Sequence, residues 1–247
     1  TSVDYLSDVC ADQVHVLLSI AAEFGSLPVV TEVVKLQHVA NISDWLRILK
    51  EVPASRMDVF LHIWSLNMQK YLENHMNPDI CEQMEDVFLD ACRNGKINML
   101  SHWIKHSHAN LLQRYYPQMF LACCTSPAAH AVFKTLYKLS VERCPLFSLF
   151  FGNGVFLIRA SNVGCHQIVQ ILVAELLKSR AVTGEKQDKL ITTSLLATIR
   201  NAHRRAFFSV WNSFDVTADS FPQHFRDEIF EAARVCNDDF IKEILGV

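Results

Sequence analysis

His102 and His106 lie four residues apart, the spacing that puts two imidazoles on one helical face, as zinc asks of ligands drawn from one helix. With His108 they form the densest histidine cluster of the chain. Two ligands do not make a site. Cys92 or Cys81 would have to complete the set from another helix, and no Glu follows His102 in the His-Glu-x-x-His manner of a metalloprotease. Solvent-facing or capping histidines are the better reading, so no metal and no cofactor is expected.

Nucleophilic chemistry would need a thiolate beside a base and a third group to orient the base. Cys165 and His166 are neighbours at the start of an expected helix, where consecutive residues point to different faces, so they form no dyad with each other. Cys123 and Cys124 occupy slots expected to be buried, which makes inert thiols. Gly152-Asn153-Gly154 is too short for a phosphate loop, no Gly-x-x-x-x-Gly-Lys-Ser/Thr or Gly-x-Gly-x-x-Gly occurs, and a turn between helices accounts for it. Asn41-Ile42-Ser43 fits the glycosylation triplet, but a chain of free cysteines without a secretory signal would not meet that machinery. No catalytic residue is expected. His203-Arg204-Arg205 followed by Phe207 and Phe208 mixes charge with aromatics and keeps nucleic-acid binding as an alternative, against which the pI near 6.4 counts.

The residues that position these groups follow a fourteen-residue pattern, clearest at Ala91 to Ile104. Two small residues are followed by a turn residue, Gly95, then by the apolar doublets Met99-Leu100 and Trp103-Ile104. The pattern returns without gaps at Ala160-Ser161, Gly164, Ile168-Val169 and Leu172-Val173, and at Ala232-Ala233, Cys236, Phe240-Ile241 and Ile244-Leu245. Ala21-Ala22, Gly25, Val29-Val30 and Val33-Val34 fit as well. Thr198-Ile199, Ala202-His203, Ala206-Phe207 and Val210-Trp211 make a weaker copy, and Cys123 to Leu136 fits with slippage. The spacing of the copies is that of a helix pair, and the interval between the copies at Ala21 and Ala91 leaves room for two pairs. Two short helices cannot cover their own apolar faces, so each pair must pack on its neighbours.

This pattern resembles the ankyrin repeat, whose helix-turn-helix core carries two alanines, a Gly-His turn and then apolar doublets. The resemblance covers most of the chain. It implies an all-α solenoid that binds other proteins and has no catalytic residues. The family's Thr-Pro-Leu-His tetrapeptide is absent, while Thr193, Asp86 and Asp227 stand at its Thr position, where they would cap the helix that follows. His203 alone occupies the family's turn-histidine position. The Asp/Gly-rich hairpin between ankyrin repeats is not found, and a generic α-solenoid is the alternative. Similar degenerate repeats occur in proteins that intracellular bacteria or large viruses place in host cells.

The composition agrees with helices. Half of the 247 residues are hydrophobic, glycine and proline number seven each, and no Pro/Gly/Ser tract offers a linker, so one helical-repeat domain over 1–247 is expected, with divergent repeats in 1–78 and clearer ones in 79–247. Eight cysteines at irregular spacing in apolar stretches suit reduced thiols in a cytoplasmic protein. Thr1 to Asp12 carries acids and no basic stretch, so no signal peptide is expected; without an initial Met, the chain reads as trimmed. The uncharged run between Arg143 and Arg159 falls short of the roughly 20 residues a spanning helix needs. Its Phe147, Phe150, Phe151 and Phe156 are core residues first and an apolar docking patch second.

Periodicity places helices at about 3–24, 28–39, 43–52 with Ser43 as cap, and 57–75. Pairs follow at 79–93 with 96–107, 110–125 with 128–142, 146–162 with 165–181, 186–201 with 203–214, and 222–235 with 238–246, which makes seven pairs. Lys178 to Lys189 is the best exposed loop. Residues 1–100 hold 7 basic and 14 acidic side chains, residues 101–215 hold 13 and 5, and the remainder 3 and 7. This basic middle would offer Arg114, Lys134, Lys138, Arg159, Arg200, Arg204 and Arg205 to an acidic partner, unless its charges simply scatter over a solvated exterior.

The expectation is therefore a non-enzymatic, monomeric scaffold that binds a partner protein of unknown identity. The residues after the small pair, Arg93, Asn94, Asn162, Val163, Arg200, Asn201, Arg234 and Val235, are the candidates for contact. A helical targeting module of a larger enzyme is the reading from another class.

Overall fold

The computed structural model describes residues 11–24, 27–34, 42–65, 78–106, 109–143, 149–179, 182–214 and 221–247. Among them the chain is all α, with fourteen α-helices and no strand. Its residues fall into two compact units, Thr1–Tyr115 and Tyr116–Val247.

The first unit holds α1 (Ala11–Phe24), α2 (Leu27–Val34), α3 (Ile42–Glu51), α4 (Met57–Ile63), α5 (Pro78–Arg93) and α6 (Ile97–His106). Helix α1 packs on α2 and α3, α3 on α4 and α5, and α5 on α6. A helix thus meets both its partner in the pair and the first helix of the next pair. Trp45, Leu46, Ile48 and Leu49 of α3 and Phe88, Ala91 and Cys92 of α5 are buried, so the small slots of α5 bring two helices close enough for the bulkier side chains to interlock. Trp103 lies against Phe88, with ring centroids 4.0 Å apart.

Helix α7 (Ala109–Cys123) carries the division between the units, at Tyr115 and Tyr116. The second unit continues with a short 3-10 turn at Pro127–Ala129, then α8 (His130–Arg143), α9 (Phe151–Val163), α10 (His166–Lys178), α11 (Glu185–Arg200), α12 (Arg204–Trp211), α13 (Gln223–Arg234) and α14 (Asp239–Leu245). Contacts run in the same sequential order: α9 with α10 and α11, α10 with α12, α11 with α12 and α13, and α13 with α14. The doublets Ile168-Val169 and Leu172-Val173 are buried between these helices. In α14 Ile241 and Leu245 are buried, whereas Phe240 and Ile244 are 40 and 42 % exposed.

One turn recurs three times. Gly95, Gly164 and Ala202 have φ of 71°, 76° and 53°, in the left-handed region. Across each turn the second helix's leading N–H reaches back to the first helix: Lys96 N–H to the Ala91 carbonyl, Cys165 N–H to Ala160 and His203 N–H to Thr198, each at 2.9 Å. This six-to-one bond satisfies a carbonyl that the ending helix would leave unpaired. The slippage at Cys123 is also explained: there Thr125 and Ser126 make the shorter bonds to Ala122 and Cys123 before the 3-10 turn, and no left-handed residue intervenes.

Several expectations change. Thr193, Asp86 and Asp227 lie inside α11, α5 and α13 and cap nothing. The Thr193 hydroxyl donates to the Lys189 carbonyl four residues back, and Asp227 accepts from Gln223. Gly152-Asn153-Gly154 begins α9 rather than separating two helices; Gly154 is buried with φ +76°, and a Cβ there would lie 2.5 Å from Leu190. Ser43 is within α3, not ahead of it. The exposed loop is shorter than Lys178 to Lys189, since α10 runs through Lys178 and α11 starts at Glu185. The helical extensions expected over 3–10, 35–39 and 66–75 lie outside the described residues.

Candidate functional site

The residues expected to meet a partner all stand where first helices end. In the first unit Arg93 closes α5 and Asn94 follows it; both are exposed, and the Asn94 amide donates to Asp90 Oδ1 at 2.8 Å. In the second unit Asn162 and Val163 close α9, Arg200 and Asn201 end α11, and Arg234 and Val235 end α13. All are exposed except the half-buried Val163, and Val235 reaches 77 %. Asn201 Nδ2 lies 3.5 Å from Asn162 Oδ1, which makes those two ends neighbours. Arg234 pairs with Glu231 at 2.8 Å on its own helix, whereas Arg93 and Arg200 form no ion pair among the described residues.

A second feature was not visible in the sequence. Lys96, Cys165 and His203 occupy the same position, directly after the left-handed residue, and each uses its side chain on the preceding pair. Lys96 Nζ donates to the Lys50 carbonyl at 2.5 Å, Cys165 Sγ to the Cys124 carbonyl at 3.5 Å, and His203 Nε2 meets the Asn162 carbonyl at 3.0 Å. Three different chemistries thus serve one role: each engages a carbonyl at the end of the preceding first helix. Lys96 also pairs with Asp90 Oδ2 at 2.9 Å. Cys236 reaches the Ile199 carbonyl at 3.3 Å from one position earlier. The last turn is held by Asp238, whose Oδ1 accepts from Phe240 and Ile241 N–H while Oδ2 accepts from Arg204 Nε at 2.6 Å.

The groups that suggested chemistry are placed as follows. His102 and His106 do share a face, with ring centroids 4.5 Å apart, but His102 stands edge-on to Phe60 and Trp64 and its Nε2 is buried with no hydrogen-bond partner among the described residues. Burial, and then the charges of His106 and Lys105, hold its pKa below the ordinary histidine value. No group of three or more His, Cys, Asp or Glu among the described residues is arranged to hold a metal. His108 and the Cys81 side chain lie outside the described residues. Cys123, Cys124 and Cys165 are buried. Burial, and then the neighbouring Cys123, push the Cys165 thiol up to about 11, and burial raises Cys124 further. Neutral buried thiols are poor nucleophiles. Phe156 is fully buried against Phe120, so the apolar run serves the core at that residue. No described helix is long and apolar enough to cross a membrane.

Lys134, Lys138, Arg159, Arg200, Arg204 and Arg205 of the basic middle are exposed in the second unit, as is Arg114 in the first. Arg204 is committed to Asp238 and lies over the Phe240 ring at 5.2 Å. Arg205 has no ion pair among the described residues and lines a groove of about 460 Å³ between α10 and α12. The chain matches no family model, no curated protein and no solved structure.

Proposed function

We propose that this chain is a non-catalytic scaffold for protein-protein interaction, a solenoid of ankyrin-like helix pairs that takes a partner protein along the edge where first helices end. The observation that carries this reading is the recurrent side-chain bond from Lys96, Cys165 and His203 to the end of the preceding first helix. Within the second unit the bonds from Cys165 and His203 hold the ends of α7, α9 and α11 in one relation, and Asn162 and Asn201 are then presented side by side. An ordered row of this kind suits an extended protein surface, with arginine anchors supplying affinity.

The test is affinity purification from cytosolic extract with the intact chain and with a variant carrying Arg93→Glu, Arg200→Glu and Arg234→Glu. The expected result is a protein retained by the intact chain and lost by the variant, both having the same thermal midpoint. Equal recovery of every protein by both forms removes the proposed edge.

A further inference from the structure

The groove between α10 and α12 is lined by His166 and Gln170 from one helix and by Arg205, Phe208, Ser209 and Asn212 from the other and its end. Among the described residues no carboxylate lines it. Gln170, Arg205 and Asn212 are exposed, and among the described residues their side chains make no hydrogen bond. The Ser209 hydroxyl donates to the Arg205 carbonyl, so its proton is already used. What the groove offers a visitor is a guanidinium fork, two primary amides and an imidazole, set beside the half-buried ring of Phe208. Donors outnumber acceptors, and the formal charge is positive.

Two anionic visitors must be told apart. A nucleic-acid strand is held by a track of cations that follows its phosphates. Here the adjacent guanidinium, Arg204, is taken by Asp238 at 2.6 Å, which leaves Arg205 as the one unpaired fork among the described residues of the groove. One fork matches one carboxylate in a two-point hydrogen bond, and primary amides suit the peptide groups on either side. The ring of Phe208 would accept an aliphatic neighbour.

We propose that this groove docks an acidic, extended segment of a partner protein, with a Glu or Asp carboxylate on Arg205 and Gln170 and Asn212 on the flanking peptide groups. The inference rests on the reading of the chain as a protein-binding scaffold, and adds a second contact surface, on the second helices.

The experiment titrates the isotope-labelled full chain with a capped peptide of alternating Glu and Leu, with its Gln/Leu counterpart, and with an oligothymidylate, reading amide shifts in each case. The expected result is saturable shifts confined to the groove for the Glu peptide, with affinity about tenfold lower for the Gln peptide and for Arg205→Glu, the worth of a charged hydrogen bond. Asn212→Asp should weaken binding in the same direction, and both variants should keep the unfolding midpoint of the parent. Equal binding of the Gln peptide, shifts away from the groove, or tighter binding of the oligonucleotide there would each overturn the proposal. Captured partners separate the two readings. A protein lost on reversing Arg93, Arg200 and Arg234 but kept by Arg205→Glu sinks the groove and leaves the edge; the opposite pattern sinks the edge and leaves the groove.

Discussion

The imidazole of His203 stands on Gly164: its Nε2 lies 3.0 Å from the Asn162 carbonyl, and a Cβ placed on Gly164 would come within 2.7 Å of the ring. Two consecutive turns are thereby locked, one by having no side chain and the other by having a flat polar one.

Gly164→Ala should destabilise the second unit by about 2–3 kcal/mol, of which about 1–2 is the left-handed backbone at φ +76° and the rest the encounter with the ring. In a His203→Ala background the same change should cost only the backbone part. Urea unfolding followed at Trp211, the one tryptophan of Tyr116–Val247, measures this cycle. Strict additivity of the two substitutions would count against the contact.

Lys96 is a buried cation held by the Lys50 carbonyl and Asp90. Lys96→Met leaves Asp90 without its cation and the carbonyl without its donor, and should cost about 2–3 kcal/mol, below the full cost of breaking a buried pair because Asp90 is part-exposed and keeps Asn94. Adding Asp90→Asn should recover part of the loss. Equilibrium unfolding of the single and double variants decides between this and a mere packing effect.

Asp238 caps α14 and accepts from Arg204, and the hydrogen bond from Arg204, followed by weaker help from the backbone N–H groups, holds its carboxyl below the ordinary value of 3.8. A depressed carboxyl contributes stability above its unfolded pKa and loses it as the pH falls through the folded value. Asp238→Ala should therefore cost at least the roughly 1 kcal/mol of a lost cap at neutral pH. The gap between variant and parent should close below about pH 4. Thermal melts at neutral and acid pH read this convergence.

His102 runs the other way. Its pKa lies below the ordinary 6.5, so the folded chain resists the proton that the unfolded chain accepts. The contribution is neutral at high pH, and stability falls as the pH drops below about 6.5 towards the folded value. The groups that meet the ring are Phe60, Trp64 and His106, with Lys105 adding charge and His62 lining the same cavity of about 410 Å³. His102→Leu should flatten this part of the profile in the first unit. Denaturant unfolding at about pH 7.5 and 5 is the measurement, and an unchanged slope in the variant assigns the effect to another group.

Helix ends were legible where local rules act. Gly95 and Gly164 mark turns because a left-handed backbone suits glycine, and the doublets after them repeat at helical spacing because they share one buried face. Ala202 shows how far that goes: it takes the same left-handed turn at φ 53° without being glycine, carried by the pattern around it. Gly152-Asn153-Gly154 misled because the same residue type also permits close approach of Leu190 inside a helix. The supposed caps misled because Asp86, Thr193 and Asp227 sit at a family position whose tetrapeptide this chain does not have.

The candidate edge was legible only as a list. Arg93, Arg200 and Arg234 hold the same place at their helix ends, yet Arg234 pairs with Glu231 on its own helix whereas Arg200 makes no ion pair among the described residues. The groove residues Gln170 and Asn212 carry no motif and come together only because α10 packs on α12.

What the amino-acid order determined by itself is the set of helices, since hydrogen bonds and apolar periods act over a few residues and leave their mark there. Only the tertiary structure decided that Lys96, Cys165 and His203 share a task. Their acceptors lie 46, 41 and 41 residues away, and no local rule links a lysine, a thiol and an imidazole until packing brings each against the end of an earlier helix.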